Sequence, residues 1–458
     1  MWEKDVHWRG RECLDPAYDV VVVGANVAGA SMARQLASRG LSVVIIERQA
    51  APEVGSCSCG DGIERFQFEK LGLEVPSGEF ILREVEVAYL RSPDRRTRFR
   101  GVAAGIAIDR FGLNQHLLSL AVDAGTGLMD SIEVVGPIIE EGRVVGVRLR
   151  PRGGGDLATL RAPLTVDATG WRGLIRRAVP AEWPIAEMVP REEMAIAYRE
   201  ERRRPEPVDD PLVEATFDFE TAPRGIYWMA DRSETLVNVG VGMQWFPGVP
   251  SPRRVIRERV IPIYPGLERT EVIRSGGGII PNRRPIDCPV APGLMALGDA
   301  ACQAQPLSGS GIGASMYAAR LASRVAAEAL ESGGATTIED LFGYPRAYHT
   351  TYGADQAANQ MLRSSLQELT NAQLNRLMAA DLVSEEDLVT AARSGRLALS
   401  FGAKLRAAGK LLGEPRLARS LARMQRRMEA ARELYTGYPA TPEDLPAWRR
   451  RADKVFSR

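Results

Sequence analysis

The sequence predicts a fold of the α/β class, and the arrangement of the whole chain is α+β. One part contains a parallel sheet with helices, a second contains an antiparallel sheet, and the C-terminal part is helical. Three observations support this fold class. Residues 20–23 form a short, continuous β-branched run, which is typical of a strand buried on both faces of a parallel sheet. Strand-like segments recur between residues 213 and 246. After about residue 336 the strand patterns stop and helical patterns replace them, at 352–369, 371–379, 385–394, 397–412 and 415–435.

The first strand ends in a glycine-containing turn, residues 24–30, followed by a predicted helix at 31–39 and a second apolar strand at 42–46 that Glu47 closes. This is a Rossmann-like unit, in which backbone N–H groups at the helix start bind a pyrophosphate and the acid accepts hydrogen bonds from a ribose. Asn26 replaces the second glycine of the fingerprint, and we expect the turn to survive because Asn tolerates unusual backbone angles. A βαβ unit without a ligand is the alternative. The predicted nucleotide contacts are Gly24, Asn26, Ala28, Gly29, Glu47 and Arg48.

Two later motifs indicate that the nucleotide is FAD. Residues 164–170 read as a strand and a tight turn, and residues 293–300 as a strand that ends in Gly-Asp. A glycine-rich loop at 306–313 then leads into an alanine-rich helix at 314–330. An acid and a helix start suit a ribityl hydroxyl and the electron-rich edge of a flavin. The residues predicted to contact FAD here are Asp167, Gly170, Gly298, Asp299, Gly309, Gly311 and Ile312.

The order of these motifs resembles the FAD-dependent family with the para-hydroxybenzoate hydroxylase or glutathione reductase type of fold. Arg110, just before a predicted helix at 113–124, occupies the place of that family's Asp-Arg pair near the cofactor, although a surface salt bridge is an equal alternative. The resemblance implies three domains. They are an FAD-binding domain of residues 17–80, 109–178 and 286–335, a substrate-binding β-sheet domain of 81–108 and 179–285, and a C-terminal helical domain of 336–458.

Within this fold the chain most closely resembles the geranylgeranyl reductase family, in particular archaeal-type enzymes that saturate the polyprenyl chains of ether lipids. The residues that carry the resemblance are Cys59-Gly60-Asp61-Gly62, Gly225-Ile226-Tyr227-Trp228, Gly240-Val241-Gly242, Gly277 to Pro281, and Glu433-Leu434-Tyr435 in the tail. The resemblance implies a flavoprotein oxidoreductase of isoprenoid (terpenoid) lipid biosynthesis that acts on CH–CH groups, with hydride from flavin N5 and a proton for the other carbon. Ile226, Ala230 and Asp231 depart from the family's aromatic and Phe-Pro pattern, so the channel width and the substrate should differ.

The predicted substrate pocket contains Tyr227, Trp228 and Pro306. Tyr227 and Trp228, with Trp245 and Phe246, are alternatively plain core residues of a sheet. Cys59 is the candidate catalytic residue, as proton donor or flavin contact, because a thiol with an ordinary pKa of about 8.5 is protonated at neutral pH. A small residue that packs under the flavin is the alternative. Gly60 and Asp61 share its loop as predicted cofactor contacts, and a predicted helix at 62–70 follows the loop.

Three other functions remain open on the sequence. One is a monooxygenase or halogenase of the same fold acting on a hydrophobic small molecule, the second is a prenyl-quinone reductase, and the third is a flavoprotein that only transfers electrons. The electron donor of a reductase is not assigned between NAD(P)H and a ferredoxin-like protein, because no second nucleotide motif marks an NAD(P)H site.

Composition narrows the setting. The five cysteines are too few and scattered for a disulfide framework, the three histidines lie outside the motifs, and neither group predicts a metal site. No run of about 18 apolar residues predicts a membrane span. The few scattered cysteines predict a reducing, cytoplasmic setting. The net charge of +1 divides unevenly, because residues 391–458 contain 16 Lys or Arg against 6 Asp or Glu, a net of +10, and the remainder carries −9. The basic helices predict peripheral membrane contact or phosphate binding, with a solvated face as the alternative, and nothing predicts nucleic-acid binding.

Overall fold

A computed structural model describes residues 18–56, 62–333, 336–379 and 415–457 of the 458-residue chain. Several predictions therefore lie outside the described residues: the Cys59, Gly60 and Asp61 loop, and the helical patterns between residues 385 and 412. The strands, in chain order, are β1 (Val20–Val23), β2 (Val43–Ile46), β3 (Gly62–Glu64), β4 (Ile81–Arg91), β5 (Arg98–Ile108), β6 (Gly127–Met129), β7 (Ile132–Glu140), β8 (Arg143–Pro151), β9 (Ala158–Arg161), β10 (Leu164–Asp167), β11 (Met194–Arg203), β12 (Val213–Thr216), β13 (Gly225–Asp231), β14 (Leu236–Gln244), β15 (Glu271–Pro281), β16 (Val290–Ala291) and β17 (Leu294–Ala296).

The helices, in the same order, are α1 (Val27–Ala37), α2 (Arg65–Lys70), α3 (Arg110–Asp123), α4 (Pro252–Val255), α5 (Ile312–Glu331), α6 (Ile338–Leu341), α7 (Gly343–Tyr348), α8 (Ala354–Leu366), α9 (Asn371–Ala379), α10 (Pro415–Thr436) and α11 (Leu445–Phe456). Two π-helical turns, Ile256–Val260 and His349–Gly353, extend α4 and join α7 to α8.

The first sheet has the strand order β16-β17-β10-β1-β2-β6, and β1 lies between two parallel neighbours. Val20 pairs with Val43 on one side and with Leu164 on the other. All four residues of β1 and of β2 are buried, as a strand covered on both faces requires. Helices α1 and α5 pack together in the largest core cluster, which also contains residues of α7, α8, α10 and α11.

The second sheet has eight strands in the order β15-β11-β14-β13-β12-β4-β5-β3. Its pairings are antiparallel except that of β12 with β4. The predicted helix at 62–70 is wrong in its first turn, because residues 62–64 form β3 and pair with β5 before α2 begins. The predicted domain boundaries assign residues 62–64 to the nucleotide-binding part, whereas β3 belongs to the second sheet.

A third sheet, with the order β7-β8-β9, lies in the chain between β6 and β10. Val144, Val147, Leu149 and Leu160 of this sheet are fully buried. They join a core cluster with one face of the first sheet, including Val21, Val44 and Leu294. This sheet therefore covers the face of the parallel sheet opposite to α1 and α5.

Candidate nucleotide and substrate site

A cavity of about 1230 Å³ opens between the first and second sheets. The turns that follow β1, β2, β10 and β17 form one side of it, and strands of the second sheet form the other. Ligands of open parallel sheets bind outside the carboxyl ends of the strands, which is where this cavity lies.

The turn after β1 depends on two glycines. Gly24 has φ +104°, and a Cβ there would lie 2.5 Å from the carbonyl oxygen of Ala168. A Cβ at Gly29 would lie 1.8 Å from the carbonyl oxygen of Gly24, so α1 could not approach the strand as closely. Asn26 is exposed and extended, with φ −73° and ψ −175°. We expected Asn26 to preserve the turn by tolerating unusual backbone angles. That expectation is wrong, because its backbone angles are ordinary for any residue.

Glu47 stands at the end of β2 and is 5% exposed. Its Oε2 accepts a hydrogen bond from the backbone N–H of Ala25 at 2.9 Å, and its Oε1 accepts one from Gln49 N–H at 2.9 Å. These contacts hold the carboxylate beside the α1 turn. Each carboxylate oxygen can accept one more hydrogen bond, and Glu47 lines the cavity.

The Gly298-Asp299 motif reaches the same cavity from β17. Gly298 has φ +63°, and a Cβ there would lie 3.0 Å from the Ala28 Cβ, so this motif touches the α1 turn. Desolvation raises the pKa of Asp299 to about 6, while the positive charge of Arg110 opposes that shift. The glycine loop follows, and α5 begins after its N-cap residue Gly311. The N-termini of α1 and α5 thus both face the cavity, since Ala28 and Ile312 line it.

Most of the predicted cofactor residues line this cavity. They are Gly24, Asn26, Ala28, Glu47, Arg48, Arg110, Gly170, Gly298, Asp299, Gly309, Gly311 and Ile312. Gly29 lies behind the turn, where it allows the close helix packing described above.

Asp167 is fully buried, and its carboxylate is occupied within the chain. Oδ1 accepts from the N–H and the hydroxyl of Thr169 at 3.0 and 2.6 Å, and Oδ2 accepts from the N–H groups of Ile175 and Arg176 at 2.9 and 2.8 Å. Asp167 is therefore not a cavity residue in this structure. Its contacts shape the loop that brings Thr169 to Arg172 to the cavity wall.

Mostly small and apolar side chains of the second sheet form the opposite wall, together with four polar or charged ones, Glu64, Asp231, Asn238 and Gln244. Trp228 is the largest side chain of this wall. Trp228 lies directly opposite Gly240 in the β13–β14 pairing. A Cβ on Gly240 would lie 1.9 Å from Cζ2 of the indole, so the ring covers this glycine. The indole Nε1 donates to Asn238 Oδ1 at 2.9 Å, which fixes the ring against the strand.

Tyr227 does not line the cavity. Neighbouring residues of a strand face opposite sides of the sheet, and Tyr227 is fully buried in the cluster with Val239 and Ile256 on the far side. Pro306 is buried and is also absent from the cavity wall, although Leu307 and Ser308 belong to it. Trp245 and Phe246 lie beyond the end of β14, where Arg191 and Arg224 stack over their rings.

The motifs did not predict Glu64, which lines the cavity at the end of β3. Burial raises the pKa of its carboxyl group, while a hydrogen bond from the amide of Gln67 lowers it. The only sequence signal was its position two residues after the Cys-Gly-Asp-Gly loop.

Arg363 of α8 was also missed. It lines the cavity, and its Nη1 donates to Gln244 Oε1 at 2.7 Å and to Gln367 Oε1 at 3.0 Å. A helix in the C-terminal part gave no sequence signal of reaching the cavity.

Cys288 and Cys302 are free and buried, and burial raises the pKa of each thiol to about 12. His349 is fully buried, and desolvation lowers the pKa of its imidazole to about 4. Within the described ranges, no cluster of His, Cys, Asp or Glu could hold a metal ion. No helix among those described residues is long and apolar enough to span a bilayer.

Comparisons with known proteins agree with this architecture. The Thi4 family model matches residues 14–181. A crystal structure of a geranylgeranyl bacteriochlorophyll reductase-like protein from Thermoplasma acidophilum superimposes with a TM-score of 0.73 at 24% identity, covering 89% of this chain and 99% of that one. A flavin-dependent brominase superimposes with a TM-score of 0.62 at 16% identity, covering 96% of this chain and 98% of that one.

The fold and the cavity thus define a protein of the flavin-dependent oxidoreductase architecture. A digeranylgeranylglycerophospholipid reductase from Sulfolobus acidocaldarius is 31% identical over 441 residues, 96% of this chain and 97% of that one. The chain belongs to the digeranylgeranylglycerophospholipid reductase family. A second relative of that name, from Methanopyrus kandleri, is 28% identical and covers 81% of this chain and 92% of its own.

Proposed function

We propose that this protein is a FAD-dependent reductase that saturates C=C bonds of a polyprenyl, geranylgeranyl-type chain. The observation that carries the proposal is that a single cavity joins a dinucleotide-binding turn to a wall of small apolar residues. Membership of the digeranylgeranylglycerophospholipid reductase family supports the same reaction.

The cofactor fits the residues on the first-sheet side. The N-terminus of α1 would bind the pyrophosphate of FAD, Glu47 would accept hydrogen bonds from the ribose, and Asp299 would accept one from the ribityl chain. The glycine loop would lie beside the flavin, because Gly309, Ser310 and Gly311 line the cavity next to Gly298 and Asp299. Reduced FAD, when bound, supplies the hydride for one alkene carbon.

The second sheet would bind the prenyl chain and exclude water from the alkene. Apart from Glu64, Asp231, Asn238 and Gln244, its contribution to the wall is apolar and mostly small, including Val85, Ala88, Ala195, Ala197, Ile226, Ala230 and Ile279. Ile280 connects the two sides, since its Cδ1 lies 3.5 Å from the position of a Cβ on Gly309. A chain held against this sheet therefore lies beside the predicted flavin position.

The proton for the second alkene carbon would come from Cys59 or Glu64. Cys59 lies outside the described residues, and its role as proton donor or flavin contact stays a prediction. Glu64 faces the cavity with a raised pKa, so its carboxyl group holds a proton to higher pH than an ordinary Glu. The electron donor, NAD(P)H or a ferredoxin-like protein, and a peripheral membrane contact remain predictions.

We expect Glu64→Gln to retain flavin and to slow alkene reduction by about 100-fold if Glu64 is the general acid. In the unmutated protein the rate of reduction would then fall as pH rises through the elevated pKa of Glu64. Cys59→Ser tests Cys59 as the proton donor. For both variants the single-turnover rate of alkene reduction is measured as a function of pH. A rate unaffected by Glu64→Gln would assign the proton to Cys59 or to solvent.

The proposed reaction is tested by anaerobic single turnover. Dithionite-reduced enzyme is mixed with geranylgeranyl lipid or diphosphate, and flavin reoxidation is followed together with the product mass. Reoxidation without oxygen, with two hydrogens gained per double bond, supports the reductase. The structural likeness to a flavin-dependent brominase favours one alternative, an oxygen-dependent monooxygenase or halogenase. Reoxidation that requires oxygen would support that alternative and overturn our proposal.

A further inference from the structure

Arg176 is a fully buried side chain next to the turn that contains Asp299, and only 1% of its surface is exposed. Its Nε donates to the carbonyl oxygen of Ala300, the residue after Asp299. Its Nη1 donates to the carbonyl oxygens of Glu187 at 2.6 Å and of Ile185 at 3.3 Å. One guanidinium group therefore joins this turn to the segment of chain that precedes β11.

The main chain of Arg176 is fixed as well. Its N–H group donates to Oδ2 of the buried Asp167 at 2.8 Å, and the same carboxylate also holds Thr169. Asp167 ends β10, which lies beside β17 in the first sheet. Arg176 thus connects the loop after β10 to the turn after β17, and both of these reach the cavity.

The turn after β17 is held at both ends. At its start, the N–H of Gly298 donates to Oε1 of the fully buried Gln303 at 2.7 Å. Toward its end, Arg176 binds the carbonyl oxygen of Ala300. Asp299 lines the cavity between these two contacts. A guanidinium group presents its donors in a rigid planar fork, so it can hold two segments of chain at a fixed separation, whereas a lysine ammonium group is a point charge on a flexible stem.

We propose that Arg176 is a positioning residue for the flavin half of FAD, an inference that rests on the function proposed above. By holding the carbonyl oxygen of Ala300, it fixes the Asp299 carboxylate where that group would meet the ribityl chain. The pyrophosphate and the adenosine ribose would bind at the α1 turn and at Glu47, whose contacts described above do not involve Arg176. The two halves of the cofactor should therefore respond differently to a substitution of Arg176.

The test titrates full-length, flavin-free protein with FAD and with ADP, which has the adenine, ribose and pyrophosphate but no ribityl chain. Arg176→Lys keeps the charge and loses the fork. We expect it to raise Kd for FAD at least about tenfold and to leave Kd for ADP within about twofold. Arg177→Lys is the matched control, because the neighbouring Arg177 is exposed, and it should change neither constant.

A double-mutant cycle with Asp299→Ala tests whether Arg176 acts through Asp299. Once the carboxylate is absent, its position no longer matters for FAD. Arg176→Lys should then raise Kd for FAD by no more than about twofold in the Asp299→Ala background, although it has the full effect in the unmutated background. A residue that only stabilises the fold would have the same effect in both.

Arg176→Gln is a second variant that buries no charge, and we expect the same difference between FAD and ADP. Equal weakening of FAD and ADP in both variants, or loss of ADP binding in both, would overturn the proposal, because Arg176 would then support the whole nucleotide-binding part. A tenfold effect that persists in the Asp299→Ala background would also overturn it. The proposed function fails separately, if the unmutated protein with bound, reduced FAD leaves prenyl alkenes unreduced.

Discussion

The two sides of the main cavity are built in different ways. On the first-sheet side, main chain approaches main chain, as where Gly29 meets the carbonyl oxygen of Gly24 and Gly24 meets that of Ala168. On the second-sheet side, side chains form the surface, and Trp228 lies over Gly240. The first arrangement allows almost no added atom, whereas the second can change its lining and still remain a sheet. We therefore expect the cofactor-binding side to tolerate few substitutions. The lining of the substrate-binding side can change, so the choice of substrate can differ between related proteins.

The largest effect should come from adding one methyl group on the first-sheet side. We expect Gly29→Ala to destabilise the folded protein by at least about 3 kcal/mol, because a Cβ 1.8 Å from a backbone oxygen forces α1 away from the strand. Denaturant unfolding and flavin content measure the effect.

Gly313→Ala is the matched control, since it adds a Cβ in the first turn of α5 with nothing closer than 3.5 Å. It should fold normally and gain up to about 1 kcal/mol from the better helix propensity of Ala. Equal losses of stability in Gly29→Ala and Gly313→Ala would contradict our expectation that a clash with a backbone atom costs more than an ordinary side-chain contact.

A smaller and more selective effect is expected on the second-sheet side. Gly240→Ala should displace the Trp228 indole and break its hydrogen bond to Asn238, at a cost of about 1–3 kcal/mol. Tryptophan fluorescence should change and KM for the prenyl substrate should rise, while flavin content stays normal.

Gly242→Ala tests the same strand without the clash, because its Cβ would lie 4.0 Å from the indole. It should leave the fluorescence nearly unchanged. A loss of flavin in Gly240→Ala would mean that the two sides are not independent.

The smallest effect concerns a charge on the first-sheet side. The pKa of Asp299 rises from 3.8 to about 6 on folding, so the folded protein holds this proton to higher pH than the unfolded chain does. In the flavin-free protein, Asp299 therefore lowers stability as pH rises from about 4 to about 6. Asp299→Asn should remove that loss and stabilise the flavin-free protein at pH 8 by on the order of 1 kcal/mol.

Thermal unfolding of both flavin-free proteins across this pH range measures the difference, which should vanish near pH 4. The same variant should bind FAD more weakly, because the amide carries no charge. A variant with the pH dependence of the unmutated protein would assign the slope to another group.

The sequence predicted the first-sheet side well because its signals are local. The strand, turn and acid from Val20 to Glu47 all lie within one βαβ unit, and Asn371–Ala379 formed the predicted helix. The second-sheet side depends on pairings between distant residues, so the choice between Tyr227 and Trp228 as the cavity residue could not be made. Both faces of β13 are apolar, and only the pairing register of β13 with β14 decides which face borders the cavity.

The errors have the same origin. Strand β3 was read as helix because its partner, β5, lies more than thirty residues further along the chain. Asp167 was assigned to the cofactor because its position after a strand suggested a ligand, while the four donors that occupy it follow in a loop of no regular pattern. The three-stranded sheet went unpredicted because its strands match no motif of the fold.

The strand order of the first sheet has a consequence for the protein as it leaves the ribosome. β1 needs β10 beside it, and β10 in turn needs β17, so the nucleotide turn cannot be completed until residue 296 and then α5 have been made. The antiparallel pairs β4–β5 and β7–β8 are joined by short loops and can form much earlier. During synthesis β1 and its turn, the first part of the site to be made, should thus reach their final structure late. Until then the apolar strand remains exposed and accessible to chaperones.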